Sequence, residues 1–475
     1  MKTSHRVAYA FFALAWSGAA LFVARPALAL TRAEELKELR LQVKMLTKRV
    51  EEMEAQEKEE TQKNAAVPVA AAKPPEDAAP MPPADKIVTA GAEKNSWKIP
   101  GTDMSLKIGG FAKLDAIADV GTAYGAPYAS FGAIPLDGST QDKQSEEFNM
   151  HARSSRFSLT GTSPTPQGDA KLYVEADFLG AAGNEKTSNG HGLQLRHFYG
   201  EWAGLLAGQT WTTFFDSATY PETLDANGPV GMTISRQPQL RYTKKIGKGA
   251  YSIALENPYS DFSDPSSPSV GSALEKTPDL VGMGKWDVPF GTISVAGLAR
   301  DLHVENATTG TNDSEFGWGL AVASVIKTGL GADGKDDIRL RVAGGDGIGR
   351  YMYEDASGGS SGAAGNSGGA NAAAYNGSVL DAQPTWGGYA SYHHFWTKEI
   401  RSNVMGGYVR TDNNVDMLPS LAGANATVWS GHVNTYWQPI DRFAVGAEYM
   451  HGERELENGL KGDLDRIMAS VMYYL

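Results

Sequence analysis

The chain has 475 residues and a formal net charge of −12, and an acidic chain of this kind is not a general nucleic-acid binder. It contains no cysteine, which excludes a disulfide framework and a cysteine-ligated metal, and the sequence predicts no metal or other cofactor. The 54 glycines and the many Trp, Tyr and Phe residues favour β-structure with frequent turns.

Residues 1–29 predict a signal peptide. A basic segment containing Lys2 and Arg6 precedes an apolar run from Val7 to Val23, and Ala27-Leu28-Ala29 has the small-x-small pattern of a cleavage site. A membrane-anchoring helix is the alternative, because the run with its flank is near spanning length. No later stretch is long and apolar enough for a spanning helix, so the mature chain is predicted to be either soluble or a β-barrel.

Residues 30–58 predict a coiled-coil oligomerisation helix. Apolar residues recur at alternating spacings of three and four, and charged residues fill most of the other positions. An isolated helix this short is marginal in water, so the pattern implies a partner helix. An amphipathic helix lying on its own protein is the alternative, and the pattern does not decide between a dimer and a trimer. The predicted seam consists of Leu36, Leu39, Val43, Leu46, Val50 and Met53.

Residues 59–104 predict a Pro/Ala-rich linker. Six prolines fall between Pro68 and Pro83 among alanines and charged residues. Proline fixes φ and removes a backbone donor, so this segment is predicted to be an extended spacer.

Residues 105–475 predict an all-β transmembrane barrel. Short segments such as "DAKLYVEADF" alternate apolar and polar residues with period two, which is typical of barrel strands, although a soluble β-sandwich also alternates. About sixteen antiparallel strands are predicted, and an even number is what a bacterial barrel needs. They start near residues 105, 150, 168, 193, 204, 237, 249, 278, 291, 315, 335, 384, 399, 427, 442 and 461.

The predicted connections alternate in length, which favours the barrel over the sandwich. The first gap and every second gap after it are mostly long, and the gaps between them are short turns such as "KIGKG" and "QPIDR". Long extracellular loops and short periplasmic turns produce this pattern. The first strand is then predicted to run outward, with the N-terminal helix in the periplasm. The long gaps are 121–148, 179–192, 214–236, 257–277, 304–314, 346–383, 411–426 and 452–460.

Several segments resemble the DcaP-like trimeric porins of the Gram-negative outer membrane. They are "KIGGFAKLDAIADV" (107–120), "RSSRFSLTG" (153–161) and "LQLRHFYGEWAGLLAGQTWTTFFD" (193–216), together with the N-terminal heptad segment and linker. The resemblance implies a homotrimer of sixteen-stranded barrels with a periplasmic coiled coil. It also implies an outer-membrane channel for small organic acids with a basic constriction.

Parity along the predicted strands assigns charged side chains to the barrel lumen, because charges on the lipid face are costly. A mixed-charge, water-filled lumen is the simpler interpretation. A basic ladder that steers anions is the sharper one, since the arginine fork binds carboxylates in a bidentate manner. The predicted pore-lining ladder consists of Arg156, Arg196, Arg241, Arg339 and Arg341, with Lys113 and Lys171. The adjacent His393 and His394 point to opposite faces of a strand and cannot share a metal.

The gap that follows the fifth strand, "FFDSATYPETLDANGPVGM", is the candidate constriction loop. The resemblance to sixteen-stranded porins implies that it folds into the lumen, and an ordinary outward loop is the alternative. Asp216, Glu222 and Asp225 would then face the basic wall and set up a transverse field.

The ending "RIMASVMYYL" is predicted to be the strand that closes the barrel against the first strand. Tyr473 would lie near the periplasmic interface, and the barrel-assembly machinery would bind this strand. Outer-membrane strands of this type usually end in an aromatic residue, and Leu475 departs from that pattern.

The predicted function is therefore an outer-membrane porin, a water-filled channel for small hydrophilic solutes that favours small organic anions such as carboxylates. It is not an enzyme on this interpretation, and its partners are outer-membrane lipid, copies of itself and anionic solutes. A non-conducting outer-membrane tether and a barrel-based membrane enzyme are the alternatives.

Overall fold

The computed structural model describes Lys44, Lys48 and residues 89–91, 93–184, 187–233, 235–260, 262–263, 274–306, 310–352 and 372–475. The chain divides into two units, Met1–Pro82 and Pro83–Leu475. In the first unit Lys44 and Lys48 are helical and exposed. The predicted signal peptide, the coiled-coil seam and most of the predicted linker lie outside the described residues.

The described part of the second unit contains sixteen antiparallel barrel strands, as the sequence predicts. The observed starts lie within four residues of the predicted ones. The strands are β1 Ser105–Val120, β2 Glu146–His151 continued by Arg156–Ser163, β3 Ala170–Asn184, β4 Gly190–Trp202, β5 Leu205–Trp211, β6 Arg236–Ile246, β7 Gly249–Glu256, β8 Asp279–Val288, β9 Gly291–Asn306, β10 Thr311–Lys327, β11 Asp337–Asp346, β12 Pro384–Phe395, β13 Ile400–Thr411, β14 Asn425–Ile440, β15 Phe443–Leu456 and β16 Lys461–Tyr474.

The last strand closes the barrel against the first, which confirms the predicted role of the C-terminal segment. Each strand pairs with its sequence neighbours, and β16 pairs antiparallel with β1, with Ala469 opposite Ala116. The Leu475 backbone N–H continues the pairing by donating to the Gly110 carbonyl at 3.1 Å. Closure removes the free edges that an open sheet would expose.

The strands have an apolar outer face and a polar inner face. On β1, Leu106, Ile108 and Leu114 point outward, whereas Lys113 and Asp115 are buried on the inner side. Exposed aromatic residues form two girdles on the outer face, as at the two interfaces of a bilayer. Near the short turns these are Trp202, Tyr242, Tyr251, Phe290, Trp396, Trp437 and Tyr473, and near the long loops Phe148, Phe316, Trp318, Trp386, Trp429 and Tyr449.

The long connections lie together at one end of the barrel, but fewer of them are long than predicted. Strands β3–β4, β9–β10 and β15–β16 continue into the predicted gaps 179–192, 304–314 and 452–460, leaving short connections there. The physical reason is that backbone pairing of a hairpin does not need an apolar outer face, so ladders extend past the apolar band. The alternation of hydrophobicity therefore underestimates strand length.

Shorter elements complete the described structure. A hairpin of Thr89–Ala90 and Trp97–Lys98, within the predicted linker, pairs with the start of β1. No helix among the described residues is long and apolar enough to cross a membrane. A small sheet at the long-loop end contains Phe262–Ser263, Ala373–Tyr375 and Leu380–Ala382, and the 3-10 helices are Phe131–Ala133, Ser217–Thr219, Ala332–Gly334, Gly349–Tyr351 and Pro419–Gly423.

Candidate pore constriction

The connection between β5 and β6, here called the constriction loop (residues 212–235), folds into the barrel. A loop inside a barrel must find hydrogen-bond partners for its backbone, and the luminal side chains supply them. Glu256 accepts hydrogen bonds from the Thr212 hydroxyl and the Thr213 N–H at 2.7 and 2.6 Å. Further along, the Leu224 N–H donates to Glu448 and the Val230 N–H donates to Ser430. Contacts with strands on opposite sides of the lumen hold the loop inside the barrel.

Two of the three predicted loop carboxylates pair with basic residues of the wall. Asp216 lies 2.8 Å from the Lys285 ammonium group. Glu222 binds Arg401 in a bidentate manner, with N–O distances of 2.6 and 2.7 Å, and the His393 imidazole lies 3.3 Å away. Burial raises the pKa of Glu222, but hydrogen bonds from His393 and Arg401 outweigh it and hold this pKa at about 2. Glu222 therefore keeps its negative charge through the physiological pH range.

The third carboxylate, Asp225, has a different partner from the one the sequence predicts. It accepts hydrogen bonds from the Ala129 and Asn227 N–H groups at 2.8 and 2.9 Å, so it binds backbone rather than the basic wall. Burial raises the pKa of Asp225, and Arg466 opposes this rise. Asp225 thus joins the constriction loop to the loop between β1 and β2.

That loop between β1 and β2 (residues 121–145, the β1–β2 loop) also enters the lumen, which the sequence reasoning missed. Phe131 and Ile134 are fully buried, and the Phe131 ring lies 5.6 Å from that of His432 in an edge-on arrangement. The Gly132 carbonyl accepts from Asn425 and Arg454 at 2.8 Å. The apolar "FGAI" segment within an otherwise polar gap was the available sequence signal. Both loops therefore place buried residues inside the barrel.

Arg156 on β2 and Arg196 on β4 lie near Tyr220 of the constriction loop. Arg196 is buried between Glu175 and Asp177, at 2.9 and 2.6 Å, whereas Arg156 is half-buried and 3.6 Å from Glu175. The pairing of β4 with β3 shifts register at Arg196, so Arg196 of β4 has no partner residue on β3. Both Arg196 and His197 are buried. Such a β-bulge re-aims a side chain, so it allows two consecutive residues to face inward.

Arg236 is a further cation that the sequence reasoning did not select. Its guanidinium group stacks on Trp211 at 3.7 Å from the ring centroid, and it forms no ion pair with any described residue. It lies close enough to Arg156, Arg196 and Tyr220 to interact with them electrostatically. An arginine at the first position of a strand, beside the constriction loop, was the sequence signal.

The loop segment from Asp216 to Glu222 is thus surrounded by wall cations. Arg339 pairs with Asp337 at 2.7 Å and also donates to the Tyr220 carbonyl. The cations around this segment and the carboxylates paired with them are Arg156, Arg196, Arg236, Lys285, Arg339 and Arg401 on the one hand and Glu175, Asp177, Asp216, Glu222 and Asp337 on the other. Six positive charges against five negative ones leave the constriction mixed in charge with a positive excess.

The remaining residues of the predicted ladder also face the lumen, but they do not lie beside loop segment 216–222. Lys113 and Arg341 are buried beneath the constriction loop and donate to its Leu224 and Gly231 carbonyls. Arg241 interacts electrostatically with Glu201 and Glu256, and Lys171 lies over the Tyr173 ring. The predicted ladder is therefore two groups: residues beside the loop segment 216–222 and residues that hold the loop or lie away from it.

His393 and His394 point to opposite faces, as predicted. His393 lies inside, between Glu222 and Asp337, and His394 binds Asp336, which also accepts from Tyr392. The described residues contain no group of three or more His, Asp or Glu side chains that could hold a metal ion.

Comparisons with known proteins agree with this architecture. Residues 88–319 match the family model described as DcaP outer membrane protein. The outer membrane channel DcaP of Acinetobacter baumannii superposes with a TM-score of 0.66 at 20% identity, covering 82% of this chain and 100% of that one. The chain therefore resembles the DcaP outer membrane proteins and has the barrel fold of an outer-membrane porin. The resemblance seen in the sequence is confirmed.

A second structural likeness is to the anion-selective porin from Comamonas acidovorans. Its TM-score is 0.51 at 9% identity, covering 78% of this chain and 100% of the other chain. Identity this low shows a shared fold alone. No curated protein matches the sequence.

Proposed function

We propose that this DcaP-like porin passes small organic anions, carboxylates among them, along the wall beside loop segment 216–222. The observation that carries the proposal is the positive excess at the constriction, centred on Arg236. This guanidinium is oriented by Trp211 but is not neutralised by a carboxylate at bonding distance. A cation in this state can compensate part of the hydration that a permeating carboxylate loses.

Arg156 on β2 supports the same proposal. It is only half-buried, its ion pair with Glu175 is long at 3.6 Å, and its Nε atom has no hydrogen-bond partner. Arg156 and Arg236 are thus the two guanidinium groups around segment 216–222 that have no carboxylate within hydrogen-bond distance. By contrast, Arg196 is already bound by two carboxylates, so it contributes to the electrostatic field in the lumen but offers no free hydrogen-bond donor pair to a carboxylate solute.

The transverse field across the constriction is part of the proposal. Asp216 and Glu222 lie on the loop, and Lys285, Arg339 and Arg401 lie on the wall facing it. Asp216 and Glu222 bind Lys285 and Arg401 directly, so charges of both signs line the passage beside them, where they orient dipolar solutes and disfavour apolar ones.

Reversal potentials of single channels in a salt gradient test the proposal. The wild type is expected to prefer the anion, and Arg236→Gln and Arg156→Gln are each expected to shift the reversal potential towards the cation side. Arg410→Gln is the matched control, because Arg410 lies exposed and pairs with Asp412 at the long-loop end. An anion preference that is unchanged in both luminal variants would overturn the proposal.

We also infer a homotrimer held in part by the predicted coiled coil over residues 30–58 in the periplasm, with the barrel-assembly machinery recognising β16. The heptad pattern supports the first inference. The position of β16 as the closing strand supports the second. An electrophoretic gel of unheated against boiled protein tests the assembly, since a monomeric, water-soluble species would contradict it.

A further inference from the structure

Ser430, His432 and Glu448 form a buried hydrogen-bonded chain on the luminal wall. Ser430 and His432 lie two residues apart on β14 and so share its inner face, and Glu448 lies on the neighbouring β15. The His432 Nδ1 atom is 3.0 Å from the Glu448 Oε1 atom, and the His432 Nε2 atom is 3.0 Å from the Ser430 Oγ atom. All three residues are at most 3% exposed. They are called the relay below.

The hydrogen-bond directions in the relay follow from its partners. Glu448 receives hydrogen bonds from several donors and acts as an acceptor, so His432 carries its proton on Nδ1. The Nε2 atom then accepts from the Ser430 hydroxyl group. The Ser430 oxygen in turn accepts from the Val230 N–H at 3.0 Å. The hydrogen bonds of the relay therefore all run in one direction, from the Val230 N–H of the constriction loop through Ser430 and His432 to Glu448.

The other end of the relay returns to the same loop. Glu448 accepts from the Thr223 hydroxyl at 2.7 Å and from the Leu224 N–H at 2.5 Å, and Asn434 adds a longer bond of 3.2 Å. The loop is thus held at Thr223–Leu224 by one end of the relay and at Val230 by the other. Three wall side chains fix both ends of segment 223–230.

The order Ser–His–carboxylate is that of a hydrolytic triad, but the surroundings of Ser430 indicate a different role. A nucleophilic serine must reach a substrate carbonyl. The Ser430 side chain is 2% exposed, and its oxygen already accepts a loop N–H group. The arrangement holds a loop.

We propose that Ser430, His432 and Glu448 are positioning residues of the constriction, which fix segment 223–230 and thereby the place of Glu222 in the passage. The proposal rests on the proposed function of the loop as the constriction. Glu222 is adjacent to Thr223, and its own carbonyl accepts from Asn434 on the same wall at 2.9 Å. Loss of the relay is therefore expected to leave the barrel intact and to release the loop.

Thiol accessibility tests this without measuring conduction. The chain contains no cysteine, so Ala226→Cys, half-buried between the two anchor points, introduces a single reporter. In an Ala226→Cys background, Glu448→Gln puts an NH2 donor opposite the Leu224 and Asn434 donors, and a charged thiol reagent is expected to react about tenfold faster. Glu455→Gln is the matched control, because the half-exposed Glu455 side chain lies on the same strand and pairs with Lys461, and this variant is expected to react at the starting rate.

A second variant keeps the proposal testable if Glu448→Gln does not fold. Ser430→Ala removes only the hydroxyl group that links Val230 to His432 and is expected to accelerate the reaction as well. Migration of unheated protein on a gel shows which variants form the barrel. Reaction rates equal to the control in folded Glu448→Gln and Ser430→Ala protein would overturn the relay, whereas an unchanged reversal potential in the arginine variants would overturn anion preference and leave the relay standing.

Discussion

Arg339 and Arg341 lie two residues apart on β11 and face the same way, yet their surroundings differ. Arg339 is part-exposed beside Asp337 and Tyr220, whereas Arg341 is fully buried beneath the loop and donates to the Gly231 carbonyl at 3.2 Å. Parity determines that a side chain enters the lumen. Whether it then meets solute or holds the loop depends on where the loop lies.

Arg466 and Asp119 form an ion pair that is almost completely buried, with N–O distances of 2.6 and 3.0 Å. Removing one partner of such a pair leaves an uncompensated buried charge, so we expect Arg466→Ala to lower the free energy of unfolding by about 3–5 kcal/mol. Urea titration of refolded protein measures this. Lys461→Ala, which removes an exposed pair with Glu453, is expected to cost less than about 1 kcal/mol, and equal losses in the two variants would contradict the prediction.

The charge of Glu222 gives a prediction on pH. The pKa of Glu222 is about 2, below the ordinary value of 4.5. The interaction of Glu222 with Arg401 and His393 therefore stabilises the folded protein fully above pH 4.5, and this stabilisation is lost as the pH falls through about 2. The difference in reversal potential between wild type and Glu222→Gln should therefore stay constant from pH 7 to pH 4 and shrink only at lower pH. A difference that disappears with a midpoint near 4.5 would show that the carboxylate is not held by these partners.

At the scale of elements, the constriction loop can approach the wall because the wall lacks side chains at the contact. A Cβ atom at Gly407 on β13 would overlap the Val230 carbonyl oxygen, and one at Gly231 of the loop would meet the Gly388 backbone on β12. Glycines on the wall let the loop backbone approach closely, and the hydrogen-bonding side chains around them bind it.

Gly407→Ala is accordingly expected to displace the loop, at a cost of about 1–3 kcal/mol, and to raise open-channel noise and conductance. Single-channel recording measures both quantities. Gly431→Ala on the adjacent strand is the control, because a Cβ atom there meets nothing within 4 Å. Identical recordings from the two variants would show that the loop does not depend on this contact.

For the whole molecule, closure and association are separate questions. The barrel closes within one chain through β16 and β1, so no strand of a second copy completes the sheet. Association is predicted from the heptad segment, which lies outside the described residues. The two can therefore be separated by mutation.

Replacing Leu39 and Leu46 of the predicted seam with Asp is expected to lower the fraction of trimer on an unheated gel while the heat-modifiable barrel band remains. Lys44→Asp and Lys48→Asp, at exposed helical positions, are the controls and are expected to keep the trimer. A trimer that survives the seam substitutions would show that barrel contacts alone suffice for association.

The sequence alone determined the barrel, because period two and turn residues are local properties. It identified sixteen strands, their starts, the strand that closes the sheet and the inward direction of all seven ladder residues. It also selected the loop after β5 as the candidate constriction. Asp216 and Glu222 do meet basic residues there, but their partners Lys285 and Arg401 were not among those selected.

Only the tertiary structure decided what each luminal side chain contacts, because those contacts join residues that are distant along the chain. It placed Arg236 on Trp211, bound Asp225 to the β1–β2 loop, and connected Val230 to Glu448 through Ser430 and His432. Alternation gives the face of a strand but not the path of a loop across that face. The path depends on which luminal groups can satisfy the loop backbone, and those groups come together only when the barrel has closed.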